Sequence, residues 1–174
     1  MLERFYPDVY LDSAYDIDYE KLYEQGYRGI IFDIDNTLVP HGAPADARSI
    51  ALFERLRRIG YESMLLSNNK EPRVKSFNDK VKSRYIYKAN KPFPESYLRA
   101  MQEMKTTPEN TLFVGDQLFT DVWGAKKAGI RTYLTKPIHP KEEIQIVLKR
   151  ILEKVVLFFY KRKCKKMLSA GGEK

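Results

Sequence analysis

A single cysteine, Cys164, is all that 174 residues supply, so no internal disulfide can form and a reducing compartment suits the chain. No apolar run approaches the roughly 20 residues needed to cross a bilayer. The opening stretch, MLERFYPDVYLDSAYDIDYE, has no basic segment leading into an apolar one, so no secretory signal is expected. These absences point to a cytoplasmic protein, with peripheral attachment at the inner face of a membrane as the outer limit. Internal repeats, low-complexity tracts and linkers are missing too. The length allows one well-buried core and is short for two, so one domain is expected. The two histidines, His41 and His139, have no ligand-like neighbours, and surface or structural positions are expected for both.

What is present begins with charge. The formal net charge is +8, but from Lys141 onward ten Lys/Arg stand against four Glu, which leaves only about +2 for the first 140 residues. The basic character belongs to the tail, which weakens a nucleic-acid reading of the body. Two parts follow: a core over residues 1–140 with a short N-terminal helix, and a basic amphipathic helix and tail over 141–174. The second is either part of the same domain or a peripheral extension.

Five segments read as strands: 29–33, 62–67, 84–87, 111–115 and 130–134. The first, second and fourth are apolar nearly throughout, as parallel strands covered on both faces should be. Helical spacing fills the gaps. ADARSIALFERLRRIG lines up Ile50, Phe53 and Leu56 and ends on Gly60, suited to a left-handed C-cap, while PFPESYLRAMQEM repeats Tyr97, Met101 and Met104. Strand alternating with helix predicts an α/β fold, a three-layer doubly wound parallel sheet of about five strands. Ligands gather at the carboxyl ends of strands in such sheets. Four of the five strands end in reactive groups: Asp33-Ile34-Asp35-Asn36-Thr37, Ser67-Asn68-Asn69, Lys91-Pro92, and Gly115-Asp116 with Asp121 five residues on.

A lone DxD is usually a turn or a cap, and Asp16/Asp18 in YDIDYE is such a pair, with Asp18 placed to cap a helix starting at Tyr19. Asp33 and Asp35 differ because they follow an apolar strand and have partners. Four acidic side chains brought to one edge repel; two carboxylates about 6 Å apart cost roughly 3 kcal/mol at an effective dielectric near 20. A cation with an all-oxygen shell, such as Mg²⁺, answers that repulsion. Gly115 is expected from the tight turn that a Gly-Asp pair at a strand end requires.

Taken in order, DIDNT, the serine of LLSNN, the lysine of NKPFP and GDQLFTD resemble the four motifs of the haloacid dehalogenase (HAD) superfamily of phosphotransferases. The opening PDVYLDSAYDIDYEKLYEQGYRGIIFDIDNTL brings the likeness closest to the capless subfamily IIIA proteins called YqeG-like, which are related to phosphatidylglycerophosphatases. The resemblance implies a Rossmann-like HAD core and a phosphomonoester hydrolase with Asp33 as nucleophile and Asp35 as general acid and base. It implies Ser67 and Lys91 as holders of the transferring phosphoryl group. The implied Mg²⁺ ligands are the Asp33 carboxylate, the Asp35 backbone carbonyl and Asp116, with Asp121 beside them. Thr37 would brace the first loop, and backbone N–H groups around Ile34, Asp35 and Asn68 would add phosphate donors. Neither 38–62 nor 68–90 leaves room for a cap domain, so a large substrate, including a lipid phosphate such as phosphatidylglycerophosphate, is compatible with the site.

Two other readings of the residues stand beside this one. A receiver-like phospho-accepting signalling domain uses similar groups, but its acidic pair is contiguous and its acceptor sits on the third strand. A nucleic-acid- or ribosome-associated module would use the basic tail. In that tail Ile144, Val147, Leu148, Ile151, Leu152, Val155, Phe158 and Phe159 form a broad apolar face, with Lys149, Arg150, Lys154 and the Lys161–Lys166 cluster around it. The face is expected to pack on the sheet or on a second subunit, or to meet an anionic membrane surface.

Overall fold

Six strands, all paired in parallel, form one sheet in the computed structural model, which describes residues 2–139 and 144–170. They are β1 (Val9–Leu11), β2 (Gly29–Phe32), β3 (Glu62–Leu66), β4 (Arg84–Ile86), β5 (Thr111–Gly115) and β6 (Arg131–Thr135), arranged β1-β6-β5-β2-β3-β4. β2 lies inside the sheet, with Gly29 opposite both Glu62 of β3 and Thr111 of β5. Its four residues are buried, which accounts for the unbroken apolar run before Asp33.

Successive side chains of β2 serve opposite layers. Ile30 and Phe32 join Phe53, Leu56, Leu65, Leu112 and Val114 on one face. Ile31 joins Met64, Leu66, Phe113, Tyr97, Met101 and Met104 on the other. The strand therefore cannot slip by one residue without exchanging its two sets of core contacts, and this fixes where Asp33 emerges.

The helices are α1 (Tyr19–Glu24), α2 (Ala47–Ile59), α3 (Glu71–Val81), α4 (Glu95–Met104), α5 (Trp123–Lys127) and α6 (Ile144–Ala170). Asp18 caps α1 by accepting the Lys21 N–H, as its spacing suggested. A capping box between Asp46 and Ser49 starts α2, and Gly60 ends it at φ 111°. Tyr97, Met101 and Met104 are the buried stripe of α4. Only α2 stands between β2 and β3, and only α3 between β3 and β4, so neither connection carries a cap domain.

Two expectations need correction. The sheet has six strands rather than about five, because β1 was not foreseen. It is three residues long and pairs only with β6 at the sheet edge, Val9 opposite Tyr133, and its residues are all only half-buried, so it shows no buried apolar run. The second concerns one of the three covers expected for the tail's apolar face, the sheet. Ile151, Leu152, Val155, Phe158 and Phe159 are exposed, and α6 rests on the body through Glu153 and Val156, which leaves a second subunit or a membrane surface as the expected cover. The expected helix start at Lys141 lies outside the described residues. Replacing Asp46 with alanine should cost about 1 kcal/mol in urea unfolding, whereas Asp46→Asn should retain most of that stability.

Candidate active site

The carboxyl ends of β2, β3 and β5 open into a cavity of about 210 Å³ lined by Asp33, Asp35, Asn36, His41, Ser67, Asn68, Asn69, Lys91, Gln117 and Thr120. A larger, shallower groove of about 620 Å³ lies at the amino ends of the strands around Tyr27, Pro108 and Arg131, and it holds none of the motif residues.

Asp33 follows β2 directly, its N–H held by the Val114 carbonyl at 2.9 Å. One of its oxygens lies 2.6 Å from Lys91 Nζ, and the other is 3.3 Å from Thr37 Oγ1. The Thr37 hydroxyl is also 3.2 Å from Asp116 Oδ1. Having one proton, it serves one carboxylate at a time. Lys91 Nζ reaches Asp121 Oδ1 as well, at 2.7 Å. The other Asp121 oxygen accepts the N–H groups of Asp116 and Gln117, both at 3.1 Å. Asp121 thus ties the lysine to the turn after β5. Its approach explains Gly115: a Cβ there would stand 2.5 Å from Asp121 Oδ2. Gly115 is not among the glycines at positive φ, so space for Asp121, rather than the tight turn expected from the sequence, is what this position demands.

The lysine loop is fastened to the loop after β3. Lys88 N–H donates to the Asn69 carbonyl and Ala89 N–H to the Ser67 carbonyl. The Asn68 side chain takes the Lys91 N–H at 2.7 Å and donates to the Lys91 carbonyl at 3.2 Å. Its amide is therefore spent on placing Lys91. Ser67 Oγ is buried and accepts the Asn69 N–H at 3.2 Å, which leaves its own proton for the cavity.

Asp33, Asp116 and Asp121 bring carboxylate oxygens within 4.8 Å of one another, all three residues being buried. Three carboxylates against one ammonium form an oxygen-rich, electron-rich donor set that fits a hard divalent cation. Asp35 stands apart from this trio. One of its oxygens accepts from Gly42 N–H at 2.7 Å and Arg73 Nη2 at 2.8 Å, the other from Asn69 Nδ2 at 2.7 Å. The two aspartates that look alike in the sequence therefore occupy different environments.

Comparison with known proteins bears on the family and the fold. A family model described as HAD-hydrolase-like matches residues 88–143. The chain is 38% identical over 165 residues to the Bacillus subtilis (strain 168) protein named "Probable phosphatase YqeG", covering 94% of this chain and 96% of that one. The chain belongs to the HAD superfamily. It is 27% identical over 175 residues to the Arabidopsis thaliana "Phosphatidylglycerophosphate phosphatase 1, chloroplastic/mitochondrial", covering 90% of this chain but 48% of that relative. A solved structure, a predicted HAD-like family hydrolase from Porphyromonas gingivalis, shares the fold with a TM-score of 0.51 at 15% identity, covering 72% of this chain and 98% of that one.

This HAD phosphatase concentrates its charge where water is excluded. Burial pushes the Asp33 carboxyl up to about 6; Lys91 opposes the rise, and Asp121 and Asp35 add to it. Burial alone would lower Lys91, but the carboxylates of Asp121 and Asp33 outweigh it and hold the ammonium well above its ordinary value. The structure brings Asp33, Asp35, Ser67, Asn68, Lys91, Asp116 and Asp121 to one edge, with Thr37 and Gly115 supporting them. It gives Asn69, read among the groups ending the second strand but without a role, a grip on Asp35, and it adds residues that sequence reasoning missed. Arg73 also grips Asp35, and Gln117 and Thr120 line the cavity. Arg73 lies 38 residues from Asp35 in sequence, on the first turn of α3, with no motif around it. His41 is exposed, as the surface position expected of it requires, and stands at the rim of the cavity. His139 keeps a structural contact through its backbone N–H, which donates to Asn36 Oδ1 at 3.3 Å.

Two outcomes follow from this packing. Gly115→Ala should destabilise the fold by about 1–3 kcal/mol in chemical denaturation and lower kcat, since Asp121 must leave its place beside Lys91. In the presence of a chelator, Asp33→Asn should be more stable than the parent chain at pH 8. A carboxyl whose pKa rises from 3.8 to about 6 on folding weakens the fold above that pH by about 3 kcal/mol. The advantage should shrink as pH falls through 6 and vanish below about 4, where both the folded and unfolded carboxyl are protonated; a constant difference across that range would contradict it.

Proposed function

We propose that this phosphatase hydrolyses phosphomonoesters through a phospho-Asp33 intermediate with Mg²⁺ as cofactor, and that its substrate is a lipid phosphate of the phosphatidylglycerophosphate kind. The observation that carries the chemistry is the placement of Asp33. It is the carboxylate at the end of the central strand that shares both Lys91 and the acidic trio, whereas both oxygens of Asp35 are engaged elsewhere.

In this reading an Asp33 oxygen bonds to phosphorus as the ester P–O bond breaks, and the departing oxygen takes a proton from Asp35. Water then attacks the phosphorus, Asp35 accepts its proton, and the P–O bond to Asp33 breaks to release phosphate. Three donors hold Asp35, so Asn69 or Arg73 must give way when Asp35 carries a proton. Ser67 Oγ, Lys91 Nζ and the backbone N–H groups of Ile34, Asp35 and Asn68 hold the phosphoryl oxygens, and Lys91 offsets charge that spreads over them. The carboxylates of Asp33 and Asp116 and the Asp35 carbonyl would hold Mg²⁺, with Asp121 beside them anchoring Lys91. Bound there, the ion supplies charge neutralisation and orientation for the phosphoryl group. Thr37 braces the loop after β2 by donating to the Asp33 or the Asp116 carboxylate.

The substrate class is supported by the uncapped cleft, which admits large phosphates, and by the activity for which the Arabidopsis relative is named. The test is a Mg²⁺ phosphatase panel with phosphatidylglycerophosphate in mixed micelles beside sugar, nucleotide and protein phosphates. Preference for the lipid is expected; equal turnover of all would leave a general phosphatase. Asp33→Asn should abolish turnover of every substrate, and EDTA should do the same reversibly. Full activity in either case would overturn the mechanism.

A further inference from the structure

Helix α6 has two faces of different character. Toward the body, Glu153 is buried and accepts the Leu118 N–H at 2.7 Å, and Val156 sits in a cluster with Phe5, Leu118, Val122 and Leu134. Tyr160 meets the ring of Tyr6 at 5.5 Å. On the opposite side Ile151, Leu152, Val155, Phe158 and Phe159 are exposed, from 43% for Phe159 to 62% for Phe158. At about 100° per residue they fall in one stripe roughly 120° wide.

Charge is arranged around that stripe. Between Ile151 and Leu168 the helix carries six Lys/Arg and a single acid, Glu153, which is turned to the body. Arg162, Lys165 and Lys166 continue the line of the apolar stripe along the helix axis, while Lys154 and Lys161 flank it. No carboxylate of this segment lies on the outward face.

We infer that this face docks on an anionic lipid bilayer, lying in its interface. Five large apolar side chains in water need a cover, and the cations beside them choose which one. A second copy of the chain would bring two cationic clusters together, and a nucleic-acid duplex would leave Ile151, Leu152 and Val155 in water. A bilayer with acidic headgroups accepts both features, each basic side chain strengthening binding on the order of fivefold. No helix among the described residues is long and apolar enough to cross a membrane, so the contact is peripheral.

The contact also bears on the site. Glu153 holds the backbone two residues beyond Asp116, and a cavity of about 160 Å³ under α6 is lined by Asp116, Leu118, Leu134, Glu153 and Leu157. A helix bound to the bilayer therefore places the turn after β5 close to the headgroups. This consequence rests on the phosphatase reading; the docking itself does not.

The experiment is co-sedimentation of the full chain with phosphatidylcholine vesicles, with and without phosphatidylglycerol. Binding is expected only to the anionic vesicles, and should weaken on the order of tenfold or more in Phe158→Ser/Phe159→Ser and in Arg162→Glu/Lys165→Glu/Lys166→Glu. Both variants should keep the circular dichroism spectrum of the parent and its turnover of a soluble aryl phosphate. Undiminished binding by both variants, or none by the parent chain, would overturn the proposal. A dimer in light scattering that the variants lose, without vesicle binding, would assign the face to a second copy. Duplex RNA binding lost only in the charge variant, again without vesicle binding, would assign it to nucleic acid. Absence of turnover toward any phosphomonoester would count against the phosphatase reading while leaving the vesicle result to be judged alone.

Discussion

The ammonium of Lys91, buried between Asp33 and Asp121, is the contact on which the rest of the site depends. A lysine stripped of water is unfavourable unless paired, and here each partner is itself a buried carboxylate that would be unfavourable without it. With Asp116 included, three carboxylates face one ammonium. Fully ionised, they leave an excess of two negative charges, which matches a divalent cation. Burial pushes the Asp33 carboxyl upward, with Asp121 adding to it against the pull of Lys91, while Asp121 and Asp33 hold the lysine charged.

Holding that arrangement requires three loops from different parts of the chain to keep their distances. The loop after β3 and the one carrying Lys91 are joined by backbone contacts and by both ends of the Asn68 amide. The turn after β5 is tied through Asp121, for which Gly115 must stay small. Beneath them β2 is locked in register because its alternate residues belong to two different core layers. Packing in the sheet and chemistry at its edge are thus one construction: the apolar run before Asp33 fixes where the charge cluster sits, and the pairing with Lys91 makes its burial tolerable.

Much of this was legible because parallel strands have a strong signature. Buried runs such as Ile30-Ile31-Phe32 and Leu112-Phe113-Val114 announce themselves, and the residues that end them share one edge. β1 carries no such signal, because its three residues are all only half-buried, and it passed unnoticed, whereas the equally short edge strand β4 was read. The tail was legible only in part. Its apolar residues at helical spacing left the sheet, a second subunit and a membrane as covers, and Glu153 and Val156 on the other side make the contact with the body, because the buried carboxylate finds the Leu118 N–H. Helical periodicity shows that a stripe exists and is silent on which side the body lies.

From its own order of residues, then, the chain determined the parallel sheet, the convergence of Asp33, Ser67, Lys91 and Asp116 and the absence of a cap, since all of these follow from local patterning and strand ends. Only the tertiary structure gave Asp33 and Asp35 their different partners, brought Arg73 and Asn69 onto the latter, set the exposed His41 at the cavity rim and turned the apolar side of α6 outward. Those outcomes depend on contacts between residues far apart in sequence, and which donor reaches which carboxylate is decided by packing in three dimensions.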